Sequence, residues 1–443
     1  MANYADLTNL TDILKYVYGE GLTNQFNDEK TTYNLFPKTD RKPAGLGFVG
    51  GIRYARAQST GARAESAKLP PALTGQKDQF TINARYIYDQ IELSGPAIET
   101  AKGNVAAFVD SLSDEMDDHY QSVIVQLNRM AWGDGFGLLG TSSAAATPST
   151  SATWTVTFDN DTGVRYFQPG MLVDVFNAAG TSAITTCCGQ RVSSITPSTK
   201  TVTFAASGQT YLASHPNSTI AAYTNDATQL AAGVIFVAMG SRLPTHAASD
   251  TPYEMMGLNG IFDDGTLLSS FEGITVASYP MWAGSIIANS GVNRPVTLDL
   301  MLQACDLAQT LSGKRPTRIL MGLGQRRQYA NLLMPDVRFM PGQLKGGYEV
   351  LTFSAGDGNI EILVDPVAQA NSMWFHKEGD IMKYELLPLG FGTVGTRPGG
   401  SPLNWVQGYD LWSTFLRIYT NLGVEQRNDL VKLTDLTEPT LFT

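Results

Sequence analysis

The stretch from Asn104 to Trp132, NVAAFVDSLSDEMDDHYQSVIVQLNRMAW, constrains this chain more than any other. Apolar residues fall at Val105, Phe108, Val109, Leu112, Met116, Tyr120, Val123, Leu127 and Met130. Steps of three and four residues put them on one stripe of a helix. Asp110, Asp114, Glu115, Asp117 and Asp118 fall on the opposite side. No proline or glycine interrupts the run, and Gly133 follows its end. At ~1.5 Å per residue the helix spans about 40 Å, well beyond the usual globular helix. Such a helix is a strut around which a domain must be built.

The rest of the composition narrows the class. A chain of 443 residues exceeds one ordinary core, so roughly two to four domains are expected. Charged residues make up 16% against a typical value of about 25%. Gly, Ser, Thr, Asn and Ala fill the gap, which suits β-rich structure and uncharged contact surfaces. The net charge of −10 would repel phosphates on average, so sequence-independent wrapping of nucleic acid is not expected. Cys187, Cys188 and Cys305 read as reduced, buried thiols of a cytosolic protein. The opening MANYADLTNL is polar and acidic, unlike a signal peptide. The longest apolar run, Leu230 to Met239, is about half of a membrane span. A soluble chain made in the cytoplasm is the expectation.

In chain order, residues 1–44 read as an arm, with Leu10, Ile13, Leu14 and Val17 on a short amphipathic helix and single apolar anchors at Phe26, Tyr33, Leu35 and Phe36. Residues 45–93 read as an extended β-hairpin with an irregular tip near Ala62 to Gly75. Its strands are Ile52–Arg56 and the alternating Phe80, Ile82, Ala84, Tyr86 and Tyr88. From Arg41 to Arg85 eight cations stand against Glu65 and Asp78, a local charge of +6. A hairpin so charged, with so little core, should dock elsewhere. The acidic helix face of another copy is the counterpart, and a solvated basic loop is the alternative. The candidate contact residues are Arg53, Arg56, Arg63, Lys68 and Lys77 on the hairpin, and Asp114, Glu115, Asp117 and Asp118 on the helix.

Residues 94–143 hold the helix, and the stretch after it, GDGFGLLGTSSAAATPSTSAT (133–153), is a linker by composition. Residues 144–228 carry the runs TWTVTF, MLVDVF, QRVSSI and KTVTF between turn sequences, the texture of an inserted barrel or sandwich. Residues 229–292 return to the first core through an apolar helix or strand (Val234 to Met239) and GLNGIFDDGTLL. Residues 293–400 alternate helix and strand as a compact α+β domain, with Leu298, Met301, Leu302, Cys305 and Leu307 turned inward on the helix at 296–311. Residues 401–443 hold a strand expected to pair back near Gly273.

Chemistry-bearing motifs are absent. GLGFVG (Gly45), GFGLLG (Gly135) and GFGTVG (Gly390) match G-x-G-x-x-G. None has a strand before it and a helix after it, as a dinucleotide site needs, so all three read as turns. His119, His215, His246 and His376 are scattered. DNDTG at Asp159 lacks the closing ligands of a calcium loop. No catalytic residue, cofactor site or metal site is expected.

The order of arm, basic hairpin, long helix, return and α+β domain resembles the major capsid protein of tailed bacteriophages, with its Hong Kong 97-like fold. The local matches are AFVDSLSDEMDDHYQSVIVQLNRMAWGDG for the spine helix, ITVASYPMW and PTRILMGLGQRRQYANLLM for the axial domain, and NLGVEQRNDLVKLTDL for the closing end. The resemblance implies an α+β capsid fold of N-arm, extended loop, spine helix and axial domain, with a small all-β domain inserted. It implies self-assembly into hexamers and pentamers of an icosahedral shell around double-stranded DNA. A virion location follows, as do portal partners and, in some members, scaffolding or decoration proteins. An encapsulin-like nanocompartment and a β-rich glycan-binding or adhesion protein are the alternatives.

Overall fold

The computed structural model describes residues 31–41, 43, 47–96, 111–150, 153–159, 163–205, 230–333, 352–355, 358–392, 404–406 and 408–439. By internal contact the chain forms two units. One takes Met1–Asp28, Tyr88–Ile124 and Leu389–Arg417, and the other takes Glu29–Ile87, Val125–Pro388 and Ile418–Thr443. The first half of the expected arm, with its amphipathic helix, lies outside the described residues. Its end is present as α1 (Thr31–Leu35).

An extended ribbon follows. Strand β1 (Gly47–Ala55) pairs with β2 (Gln76–Asn83) in antiparallel register from Gly47↔Asn83 to Ala55↔Gln76, with an irregularity after Arg53. Residues 56–75 form the irregular tip. The expected alternation holds at Phe80, Ile82 and Ala84, which are buried, and fails at Tyr86 and Tyr88, which are exposed. The run breaks in two there. Strand β3 (Arg85–Ser94) leaves the ribbon and pairs with β20 (Leu411–Val424) instead.

The strut is α2 (Ser111–Trp132), and 104–110 lie outside the described residues. Burial is graded along it. Val123, Leu127, Met130 and Trp132 are buried, whereas Tyr120, expected on the inward stripe, is exposed. The C-terminal turns therefore pack as core, and before Val123 the described side chains of Asp117, Asp118, Tyr120 and Ser122 are exposed.

The segment expected to be a linker is partly strand. It contains β4 (Leu138–Thr141) and β5 (Thr147–Thr150). Pairing with sequence-distant strands made them so, and local composition carries no trace of distant partners. They join β6 (Thr153–Thr157), β7 (Leu172–Phe176), β8 (Gln190–Thr196), β9 (Thr201–Ala205) and β10 (Ile235–Ala238) in one sheet of order β4-β10-β7-β8-β9-β6-β5. Ser142 bridges Phe158, and the Asp159 amide donates to the Thr141 carbonyl at 2.9 Å. Those bonds bring the end of β4 against the end of β6, so the sheet curls closed with β5 outside. Its interior is aromatic: Trp154 stacks on Phe204 at 4.4 Å, and Phe204 on Phe236 at 5.3 Å. Gly140 lacks a side chain for a packing reason, since a Cβ there would meet the Phe158 ring at 2.7 Å. At the foot of this sheet, buried Arg129 of α2 meets Glu254 at 2.6 Å. Arg242 lies between the Phe136 and Phe176 rings with Asp134 at 3.7 Å.

Short pieces follow: α3 (Leu258–Ile261) and the tight pair β11 (Ser270–Phe271) and β12 (Ile274–Thr275). A six-stranded mixed sheet comes next, of order β13-β21-β17-β14-β16-β15. Its members are β13 (Ser285–Ile287), β14 (Arg318–Met321), β15 (Thr352–Ser354), β16 (Asn359–Val364), β17 (Met373–His376) and β21 (Val431–Leu433). Helix α4 (Leu298–Ser312) packs on it, and α5 (Leu323–Leu333) follows β14. Thr297 caps α4 by accepting from the Leu300 amide, and Gly313 ends it at φ 72°. The buried side of α4 is Met301, Ala304, Cys305 and Ala308. Leu298 and Leu302, expected inward, are exposed. The two alanines let the helix lie close to the sheet, which sets its rotation.

Strand β18 (Ile381–Phe391) and β19 (Asn404–Trp405) flank β20. The terminal strand thus does not ladder with the strands beside Gly273. Among the described residues it reaches that turn through the Val424 amide, which donates to the Glu272 carboxylate at 3.1 Å. The G-x-G matches are only partly turns. Gly135 and Gly137 have positive φ, but Gly47 and Gly50 lie in β1 and Gly390 in β18.

Candidate assembly interface

The basic hairpin is held at its root and free along its length. Phe80 stacks on Trp282 at 5.6 Å, Phe48 meets the edge of Tyr384 at 5.1 Å, and Tyr54 lies 4.4 Å from Tyr279. Phe80 covers Gly50, where a Cβ would come within 2.2 Å of the ring. Beyond this aromatic root, Arg53, Arg56, Arg63, Lys68 and Lys77 are all exposed. Arg63 bonds the carbonyls of Ala62 and Lys68. None of the five makes an ion pair among the described residues. Arg41, at the base, does pair, with Glu425 at 2.7 Å. Arg85 is part-buried, and desolvation lowers its pKa.

On α2, Asp117 and Asp118 are exposed and likewise make no ion pair among the described residues. The side chains of Asp114 and Glu115 lie outside what is described. His119 turns away from the acids to Asp89, 2.7 Å away.

Two buried ionisable residues govern the hairpin root, and neither was legible in the sequence. Glu272 occupies a left-handed backbone position (φ 52°) in the β11–β12 turn. Its carbonyl accepts from the Thr81 amide of the hairpin at 2.8 Å, and its Oε1 from the Val424 amide of β20. Its Oε2 is buried without a hydrogen-bond partner. Burial pushes this carboxyl up to about 8. Arg427 is fully buried. It donates to the carbonyls of Ile261 (2.9 Å), Trp282 (2.9 Å), Gly260 (3.1 Å) and Asp263 (2.6 Å), with Phe271 4.0 Å beneath it. Desolvation brings its pKa down to about 10. This guanidinium fixes the loop on which Trp282, and so the hairpin, rests. Within VEQRND it reads as one more surface charge.

The end of the arm is anchored by Asp365, also missed because IEILVDP reads as strand and turn. Its buried carboxylate accepts from the Thr32 amide (3.2 Å), the Thr32 hydroxyl, Asn128 (3.3 Å) and the Trp132 indole (3.1 Å). The chain then bridges β18 at Lys38, where the Lys383 amide donates to the Pro37 carbonyl and the Thr39 amide to the Lys383 carbonyl. The three cysteines are free and buried. Among the described residues no group of three metal-ligating side chains occurs, and no helix is long and apolar enough to cross a membrane.

No family model matches the sequence, and no curated protein matches it. Solved structures do. The capsid asymmetric unit of cyanophage A-1(L) is similar over 97% of this chain and 98% of that one, with a TM-score of 0.57 at 14% identity. The capsid of a native GTA particle follows, covering 99% and 100% at a TM-score of 0.49 and 9% identity. The mycobacteriophage Bobi structure covers 98% and 99% at 0.45 and 9%. The near end-to-end match to the cyanophage subunit gives the architecture: this chain has the α+β, Hong Kong 97-like capsid fold.

Proposed function

We propose that the chain is the major capsid protein of a tailed phage, a structural subunit that assembles into hexamers and pentamers of an icosahedral shell around double-stranded DNA. The observation that carries this is the capsid fold over nearly the whole length, at a TM-score of 0.57. The exposed, unpaired cations of the hairpin support it, because a ribbon with so little core of its own gains stability by lying on a neighbour. In this reading Arg63, Lys68 and Lys77 meet Asp114, Glu115, Asp117 and Asp118 of an adjacent copy. The curled sheet between β4 and β10 is an insertion into the basic tile, open to decoration proteins. Portal and scaffolding partners, synthesis in a host cytoplasm and a role without catalysis complete the proposal.

The test reverses Asp114, Asp117 and Asp118 to Lys. Three exposed pairs at about 0.5–1 kcal/mol each, turned repulsive, amount to roughly 3 kcal/mol per contact, or about a hundredfold in association. Particle yield by sedimentation should collapse while the urea midpoint of the subunit stays put. Normal particle yield would discard the contact. Electron microscopy of wild-type particles, with DNA content measured, separates a phage head from an enzyme-filled compartment.

A further inference from the structure

The hairpin, the terminal strand and β18 meet at one point. A Cβ on Gly423 of β20 would lie 2.5 Å from Ile82 Cδ1 of the hairpin, 3.0 Å from Glu272 Oε1 and 3.0 Å from the Tyr384 ring of β18. A side chain there would push the three apart. Glu272 is the joint between them. Its carbonyl takes the Thr81 amide of β2, and its Oε1 takes the Val424 amide of β20. The preceding Phe271 lies under Arg427 and accepts from the Trp282 indole, on which Phe80 stacks. Tyr384 completes the root by packing edge-on against Phe48 of β1.

The surroundings of this carboxyl suit its neutral form. Ionised, a carboxylate has about four lone-pair sites to fill. Among the described residues the Glu272 carboxyl has one hydrogen-bond donor, Val424, and its Oε2 is buried with none. Nearby charges do not make up the lack. Arg427 faces it from the loop before β21, but the guanidinium is turned to the carbonyls of Gly260, Ile261, Trp282 and Asp263. Glu425, just after β20, adds a second negative charge and is itself held by Arg41 of the arm at 2.7 Å. Burial raises the Tyr384 phenol above its ordinary value, so it brings no charge. Asp263 and Asp264 act on Arg427, and the hairpin residues at the joint, Thr81 and Ile82, are uncharged. An anion formed here is short of donors and repelled by Glu425. Water is its remedy, and Glu272 is only part-buried as a residue, so water has a short way in.

We propose that this joint is a proton latch: the neutral Glu272 carboxyl holds the hairpin against the body, and loss of its proton frees the root. Phe48, Phe80 and Ile82 then leave Tyr384, Trp282 and Gly423 while the six-stranded sheet stays folded. The latch belongs to the free subunit and is independent of the shell reading.

Hydrogen exchange of the wild-type subunit, read at the Thr81 amide from about pH 5.5 to about 7.5, tests it. Base catalysis alone speeds exchange about tenfold per pH unit, and an opening that releases one proton adds about another tenfold. Thr81 should therefore speed up about a hundredfold per unit and return to about tenfold above pH ~8. Amides of β17 should exchange more slowly than Thr81 throughout, because the opening is local. A rise of only tenfold per unit at Thr81, or rates there equal to those of β17, overturns the latch. Glu272→Gln keeps an oxygen for the Val424 amide and cannot ionise, so its Thr81 slope should fall to about tenfold per unit. A slope still near a hundredfold in that variant overturns the assignment to Glu272. Asp429→Asn removes the other carboxyl raised to about 8 and should leave the wild-type slope in place. Loss of the extra tenfold there moves the proton to Asp429 and also overturns it.

Discussion

Replacing Glu272 by Gln isolates the proton held at the hairpin root. In the folded chain the Glu272 carboxyl is pushed up to about 8, from an ordinary value of 4.5. Between those two pH values the folded chain keeps a proton that the unfolded chain has lost. Stability therefore falls as pH rises from 4.5 towards 8 and is level above it. At 1.36 kcal/mol per unit the ceiling is about 5 kcal/mol, and relaxation with water entry reduces this to roughly 2–4 kcal/mol. Glutamine has the same shape, keeps an oxygen for the Val424 amide and does not titrate. The assay is urea unfolding of wild-type and Glu272→Gln chains at pH 5 and pH 8.5. Asp429, facing Asp380 and Lys314 and also raised to about 8, slopes both curves alike, so the difference between them belongs to Glu272. The expected outcome is that wild type loses the larger amount on raising the pH. Parallel losses in the two chains would refute the reasoning, because a carboxyl that ionises freely at the root costs nothing.

Arg427→Met keeps the bulk and strands the buried Ile261 and Trp282 carbonyls, at about 1–3 kcal/mol each before relaxation, while Asp263 and Gly260 still accept from the Gly284 and Asp263 amides. A loss of roughly 2–4 kcal/mol is expected by denaturant unfolding, and a loss under about 1 kcal/mol would remove its role as anchor. Asp365→Ala frees the Thr32, Asn128 and Trp132 donors together. Protease cleavage near Thr31 should accelerate while the six-stranded sheet keeps its hydrogen-exchange protection. Gly50→Val places a Cβ inside the Phe80 ring and displaces it from Trp282. It should cost about 1–3 kcal/mol and lower particle yield, and wild-type yield with wild-type stability would show that the aromatic root is dispensable.

Periodicity alone determined the elements whose signal is local. The strut helix, the runs at 154–157, 172–176, 190–196 and 201–205, and the helix expected at 296–311 needed only side-chain spacing. The order of those elements also carried the capsid resemblance, because topology follows from the sequence of strands and helices. Tertiary structure decided what depends on distant partners. Leu138 to Thr141 became strand because β10 and β7 were there to extend the sheet, despite a linker's composition. Ala304 and Ala308, not Leu298 and Leu302, turned inward because a close helix–sheet approach favours the smaller side chains. Glu272, Asp365 and Arg427 acquired their roles only when folding removed water from around them. A charged residue looks alike in sequence whether it faces solvent or four carbonyls, and only burial makes the difference worth several kcal/mol.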